Sequence, residues 1–468
     1  MISVSFIFFI VVMLLVGTAA TYVSKSTPDD YILAGRDVGY LATALSAVST
    51  CHSGFMFIGM IGFTYRYGIS AIWMIFGWLV GDYIAWTFIY PKLREMSESK
   101  QSLTISDFVV SHLSSKNKKI IKAYISIIIF IFVGLYASAQ LIAGSKALVT
   151  FLDISQIWGI IIGGVIVLAY SVSGGIRASI WTDVVQSIIM LIAMLGLLIT
   201  AVIEIGGIGQ LFSTLHQIDP SLTRIFMNVD GAFLMYVLGW CAFGMGVIGQ
   251  PHILTRPMSI SAVSELKQAR TVYFSWYLIF SLSALFVGLA ARVILPELIS
   301  SDTELALPLL ATQLLPSFFV GIVLAGIFSA CISTADSQIL VCSSTITDTF
   351  LSKYSHRMLI AKLITLFTLV IIILASIIAS KSVFFLVIFS WSILALVLTP
   401  LIYAQCYSKK YSGNLIHTLT ISAFVIIFVW VYILKLSNEV NEVLPGFIIM
   451  IMIIISFKRL SKFFQKVN

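Results

Sequence analysis

Gly326, Ala330, Ser333, Thr334 and Ser337 recur at i, i+4, i+7, i+8 and i+11. On a helix this spacing gathers them on one face. Small residues alone would serve the close approach of neighbouring helices. An adjacent Ser–Thr pair adds two neutral oxygens, which suit a hard cation such as sodium, by extension of calcium and magnesium chemistry. Two other stretches look like deliberately broken helices. Leu45-Ser46-Ala47-Val48-Ser49-Thr50-Cys51-His52-Ser53-Gly54-Phe55 sets a polar cluster inside an apolar run. Phe243-Gly244-Met245-Gly246-Val247-Ile248-Gly249-Gln250-Pro251-His252 carries three glycines and a proline within eight residues. In a helix interior Gly costs about 1 kcal/mol and Pro about 3 relative to Ala. Carbonyls and helix ends exposed at such breaks can hold a cation and a solute.

Ionisable groups inside apolar segments are costly and mark candidate sites. Asp183 lies in Trp181-Thr182-Asp183-Val184-Val185-Gln186-Ser187. It reads equally as a helper for a second cation or its release path, or as a helix-end carboxylate near the cytoplasmic surface. Asp336 follows the hydroxyl pair by a turn and reads as a local capping or pairing group. Asp82 has no evident partner. His52 reads as a neutral, hydrogen-bonded lining residue.

The elements that must position these groups follow from composition. The chain has 468 residues, 59% hydrophobic and 10% charged, with a mean hydropathy of +1.05. A soluble domain has about a quarter of its residues charged. A cytosolic enzyme, a secreted disulfide scaffold, a disordered chain and a nucleic-acid binder are thereby excluded. Long continuous apolar runs, rather than short alternating ones, indicate helices and not a barrel. The expected fold is an all-α polytopic membrane protein with about 13 spans of about 20 residues each. They centre on 2–23, 40–64, 69–91, 120–144, 155–173, 178–203, 229–252, 271–295, 309–347, 359–380, 383–406, 415–435 and 443–457. The stretch 309–347 is too long for one simple span and predicts a long or bent helix with a lead-in near Pro308 to Pro316. The first segment lacks a basic start and reads as a retained helix rather than a signal peptide.

With the N-terminus outside, six basic residues (Arg66, Lys146, Arg224, Arg292, Lys381, Lys435) fall outside and the remaining 22 of 28 fall inside, Arg256 among them. That asymmetry supports an inner-membrane protein with a cytoplasmic C-terminus. It also accounts for the net charge of +8 without an acidic partner. The five cysteines (Cys51, Cys241, Cys331, Cys342, Cys406) show no metal-ligand spacing and read as small apolar residues.

Several motifs resemble the sodium:solute symporter family, nearest its sodium/proline symporter subgroup. They are residues 30–37, Ser173-Gly174-Gly175 followed by Trp181-Thr182-Asp183-Val184-Val185-Gln186, Gly249-Gln250-Pro251-His252-Ile253-Leu254-Thr255-Arg256, and Ser333-Thr334-Ala335-Asp336-Ser337-Gln338 with Val341-Cys342-Ser343-Ser344. The resemblance implies a LeuT-like fold of two inverted five-helix repeats, here about 38–205 and 228–406. An extra N-terminal helix (1–25) and C-terminal helices with a basic tail (412–468) would flank them in a single transmembrane domain. It implies sodium-driven import of a small polar organic solute, proline or another amino acid among the candidates. It also implies a sodium site of Ser49, His52, Ala330, Ser333 and Thr334, and it matches the family's acidic residue to Asp183. The implied solute region comprises Cys51, Ser53, Phe55, Gly59, Phe243, Val247, Gln250 and Pro251. Cys51 stands where proline transporters carry an Asp, and Phe243 and Val247 stand where they carry Trp and Tyr, so the pocket departs from theirs. Proton coupling through His52 or Asp183, and a solute sensor on the same fold, are the rival readings. The expected partners are sodium, the solute and the bilayer, with no obligate protein partner and no catalytic residue.

Overall fold

The computed structural model describes the chain except residues 25–26, 114, 227–230, 353–357, 380–381, 408–410, 438 and 468, and describes no side chains for 28, 115–116, 169–173, 358 and 458–467. Lys381, the Ser173 side chain and the basic tail side chains therefore lie outside the described residues. Among the described residues the chain is helical, and the one β contact is an isolated bridge between Val38 and Ile260.

Helix α1 (Ile2–Val23) is followed by α2 (Tyr40–Cys51), α3 (Gly54–Phe57), α4 (Gly59–Tyr67) and α5 (Ile72–Ile84). A π-helical turn at Ala85–Ile89 extends α5. Two long helices follow, α6 (Ser115–Leu152) and α7 (Gln156–Ile205). The second half holds α8 (Gly231–Met245), α9 (Pro251–Ser259), α10 (Leu266–Ile294), α11 (Ala306–Leu314) and α12 (Ser317–Phe350). It ends with α13 (Met358–Ile378), α14 (Val383–Tyr407), α15 (Gly413–Ile427) and α16 (Val443–Val467).

Among the described residues ten helices are long and apolar enough to cross a membrane, and three shorter apolar ones accompany them, Tyr40–Cys51, Gln156–Leu168 and Val443–Phe457. Thirteen remains the sequence-based count. The spans expected at 155–173 and 178–203 are two helices, taken together as α7, that meet at a break at Gly175, whose φ of 59° and ψ of −151° are not helical. A Cβ there would lie 2.6 Å from Tyr31, so only glycine fits the break. The stretch 309–347 resolves as expected. The short α11 ends at Leu314 and Pro316 caps the 34-residue α12.

Burial sorts the helices into a centre and a lipid-facing rim. In α12 and α14, 83% of the most apolar window is buried, against 28% in α1 and in Leu359–Ile378. Helix α12, which carries the hydroxyl stripe, is thus surrounded by protein. It lies close to α7 at Gly326, where an added Cβ would meet Ala193 at 2.5 Å.

Candidate functional site

Both expected breaks are present. Helix α2 stops at Cys51. His52 (φ −86°, ψ 65°) leaves the helix, and extended Ser53 caps α3 by accepting the Phe55 N–H at 3.2 Å. Gly54 lets the break press on α12, since a Cβ would lie 2.5 Å from the Cys331 sulfur. Its N–H donates to Gln140 Oε1 at 2.9 Å. In the second half, α8 gives way to a 3-10 turn at Gly246–Gly249 and to Gln250 in an extended conformation, and Pro251 then starts α9. Proline at the first helical position costs nothing, because that N–H would have no helical partner.

Ending α2 at Cys51 leaves its last carbonyls without helical donors. The hydroxyl stripe of α12 meets them. Ser333 Oγ donates to Ser49 O at 3.1 Å and Thr334 Oγ1 to Thr50 O at 2.9 Å. The same two hydroxyls lie 3.2 and 3.1 Å from Ala330 O. Five neutral oxygens thus converge, and each hydroxyl has one proton for two acceptors. Such a cluster is rich in lone pairs and short of protons, a donor set that fits an alkali cation. Of the five residues expected there, Ser49, Ala330, Ser333 and Thr334 come together. His52 sits at the break, but its ring points away. Its Nδ1 is 3.0 Å from Val48 O and its Nε2 3.3 Å from Ser281 Oγ, with Tyr277 edge-on at 4.6 Å. Thr50, which the sequence reading passed over, supplies a carbonyl instead.

Asp183 is neither a surface carboxylate nor free to coordinate on all sides. It is fully buried, and its Oδ2 accepts from Ser46 Oγ at 2.5 Å and from Arg256 Nη2 at 3.0 Å. Thr50 Oγ1 stands 3.5 Å away. Arg256 is a correction to the charge map: it is no loop cation but one of the largest fully buried side chains. Its guanidinium also reaches Ser46 Oγ (3.0 Å), His252 O (2.8 Å), Ser179 Oγ (3.2 Å) and Ser337 Oγ. A buried ion pair tolerates removal from water only when further hydrogen bonds complete it, as here. Sequence alone hides it because Arg256 follows the second break closely and reads as the start of a loop.

The residues expected at the solute form an aromatic cluster. Trp78 meets Phe55 at 5.4 Å and Phe243 at 5.5 Å, edge to face. Trp391 stacks on Phe243 at 5.5 Å and donates its Nε1–H to Phe243 O at 2.9 Å. Gly59 packs under the Phe55 ring. Ser53 Oγ lies 3.3 Å from the Tyr136 hydroxyl. Gln250 Nε2 donates to Gly246 O at 3.1 Å, while its Oε1 has no partner among the described residues. Val247 is fully buried beside them and Cys51 is half-buried at the first break. Trp78, Trp391, Tyr136 and Gln140 were not legible, because they arrive from helices distant in the chain. The same holds for Tyr273, whose hydroxyl donates to Asp82 Oδ2 at 2.7 Å and gives that carboxylate the partner the sequence did not reveal.

Comparison with known proteins follows the same lines. The profile of the sodium:solute symporter family matches residues 31–429. The osmoregulated proline transporter OpuE of Bacillus subtilis is 30% identical over 455 residues, covering 94% of this chain and 91% of the relative. A sodium/proline symporter of Staphylococcus aureus is 29% identical, covering 97% and 92%. Among solved structures, a substrate-bound, outward-open Na+-coupled sialic acid symporter superposes with a TM-score of 0.81 at 20% identity, covering 99% of this chain and 98% of its own. A nucleobase-cation-symport-1 family transporter gives 0.58 at 13% identity, covering 92% and 94%.

Proposed function

The chain belongs to the sodium:solute symporter family and is an integral membrane symporter, and from that premise we propose that it imports a small polar organic solute by binding sodium between the first helix break and the hydroxyl pair of α12. The observation that carries this reading is the convergence of Ser49 O, Thr50 O, Ala330 O, Ser333 Oγ and Thr334 Oγ1. Sodium there would take over the carbonyls that the two hydroxyls otherwise hold, and so would tie α2 to α12. The solute would bind next to it, between the breaks, against Phe55, Trp78, Phe243 and Trp391. The two breaks then occupy matching places in two inverted repeats, the arrangement from which secondary transporters build midplane sites. The membrane potential contributes about 2.3 kcal/mol per charge per 100 mV to inward sodium movement. An amino acid, proline included, is the solute class that the named relatives favour. An extracellular N-terminus and a cytoplasmic C-terminus are the orientation that the basic residues favour. Asp183, held by Arg256, would shape the path from the sodium site rather than bind a second ion.

The test is uptake into proteoliposomes under an imposed inward sodium gradient, screened across amino acids, sugars, choline and carboxylates. Accumulation that requires sodium and collapses when the gradient is removed is the expected result. Uptake that follows a pH gradient and ignores sodium would refute the reading.

A further inference from the structure

Helix α5 carries a carboxylate that the sodium site does not use. Asp82 is fully buried, one turn beyond Trp78 and therefore on the same helix face. Its Oδ2 accepts the Tyr273 hydroxyl at 2.7 Å, but Oδ1 has no hydrogen-bond partner among the described residues. The Tyr90 hydroxyl, 1% exposed, is likewise unpartnered. Cys51, Tyr90 and Tyr273 all lie within electrostatic range of this carboxyl. None of the ion pairs among the described residues includes Asp82. A carboxylate held this deep with one donor and no counter-charge is costly, and such groups persist at membrane depth where function needs them.

We infer that Asp82 binds the positively charged nitrogen of the transported solute, so that the solute class is one bearing an ammonium, imidazolium or quaternary nitrogen. The inference rests on the sodium-symport reading and narrows its solute. The geometry favours a nitrogen cation over a second sodium. Cys51 offers a soft sulfur where sodium wants oxygen. Tyr273 has committed its proton to Asp82, which leaves lone pairs there and on Tyr90 to accept N–H bonds. The walls are aromatic: Trp86 lies 5.1 Å from both Tyr90 and Tyr273, and aromatic faces attract organic cations. One turn along, Trp78 joins this corner to the Phe55–Phe243 cluster, so a solute about the size of an amino acid would span both.

The experiment measures thermal unfolding of the purified full-length protein in sodium-containing detergent solution. The probes are L-proline, L-lysine, L-histidine, γ-aminobutyrate and choline, against glucose, myo-inositol, lactate, N-acetylneuraminate and N-acetyl-L-proline. The expected best stabiliser has a positive nitrogen, and Asp82→Asn weakens its binding about 30-fold or more, the loss for a buried charge pair deprived of one member. Asp82→Glu recovers part of that loss, and Tyr90→Phe gives a smaller one. Stabilisation by sodium alone stays within threefold of wild type in all three, which also reports that they fold. Should Asp82→Asn not fold, the Glu and Phe variants decide. The inference is overturned if the best stabiliser lacks a positive nitrogen, if no positive-nitrogen probe stabilises, or if Asp82→Asn (or Tyr90→Phe in its place) binds the probe as wild type does. It is equally overturned if sodium alone loses affinity in Asp82→Asn. Failure of the symport reading would look different: wild type would show no sodium stabilisation at all.

Discussion

Replacing both Ser333 and Thr334 by alanine removes two of the five oxygens that converge at the first break, and the loss can be bounded. Hydrogen-bond-like contacts to a charged partner are worth about 1.5–3 kcal/mol each. Two such contacts sum to at least about 3 kcal/mol, or a sodium affinity at least ~100-fold weaker. The fold loses less. Each hydroxyl now satisfies a carbonyl, Ser49 O at 3.1 Å and Thr50 O at 2.9 Å, and a net protein hydrogen bond is worth about 1 kcal/mol. The double variant should therefore fold, destabilised by about 2 kcal/mol. Sodium at 100 times its wild-type dissociation constant stabilises wild type by about 2.7 kcal/mol, and a site 100-fold weaker gives about 0.4. Thermal unfolding titrated with sodium against choline at constant ionic strength separates those values. Thr334→Ser, which keeps the oxygen, should retain most of the shift. A double variant whose sodium midpoint lies within threefold of wild type would refute the site, however well the oxygens converge.

Three other perturbations follow from the packing and charges. Arg256→Leu leaves Asp183 buried without a counter-charge and should cost about 3–5 kcal/mol, most of it recovered in Arg256→Leu with Asp183→Asn; equal losses in the single and double variants, read by denaturant unfolding, would contradict the pairing. Gly81→Ala would place a Cβ 2.0 Å from the Gly244 carbonyl carbon and force α5 from α8, costing about 1–3 kcal/mol, whereas Gly196→Ala, with nothing within 4 Å, should melt within about 0.5 kcal/mol of wild type. Burial raises the Asp107 carboxyl, but Lys122 at 3.1 Å and Lys118 outweigh it and hold it below its ordinary 3.8. The stability it contributes is present above the unfolded carboxylate range and fades as pH falls through the lowered folded value. Asp107→Asn should thus cost about 1 kcal/mol at pH 7 and progressively less as pH falls below the ordinary carboxylate range, and a difference between melts that does not shrink on acidification would contradict the assignment.

Features written into a single stretch were legible before the fold was known. Glycine, proline and serine interrupt apolar runs at 49–54 and 243–251, and both interruptions are real, because those residues are costly in helices wherever the helices pack. The stripe Gly326, Ala330, Ser333, Thr334 and Ser337 was legible because a helix turns spacing into a face. What no stretch contains is pairing across the chain. Tyr273 finds Asp82 across 191 residues, and Trp391 finds Phe243 across 148. Neither pair leaves a periodic trace. Arg256 misleads for a physical reason as well. Basic residues near the ends of apolar runs are mostly solvated, and only a carboxylate on another helix, here Asp183, makes burying one tolerable.

The buried pair and the oxygen cluster are not independent, because Thr50 belongs to both. Its carbonyl accepts from Thr334 at 2.9 Å and its hydroxyl stands 3.5 Å from Asp183. Ser337 bridges them from the other side, donating to Ser333 O at 2.7 Å while meeting the Arg256 guanidinium. Arg256 rides on α9, after the second break, whereas Thr50 lies in the last turn of α2, just before the first. A shift of α9 that drew the guanidinium away would leave Asp183 without its counter-charge and free Ser46 and Thr50 to rearrange. The end of α2 would then lose support where its carbonyls face α12. If sodium binds at the oxygen cluster as proposed, movement at one break would change its affinity at the other through these contacts, with no ligand bridging the two. Coupling of this kind must be reciprocal: sodium bound there would hold α2 against α12 and would also favour the position of α9 in which the ion pair is closed.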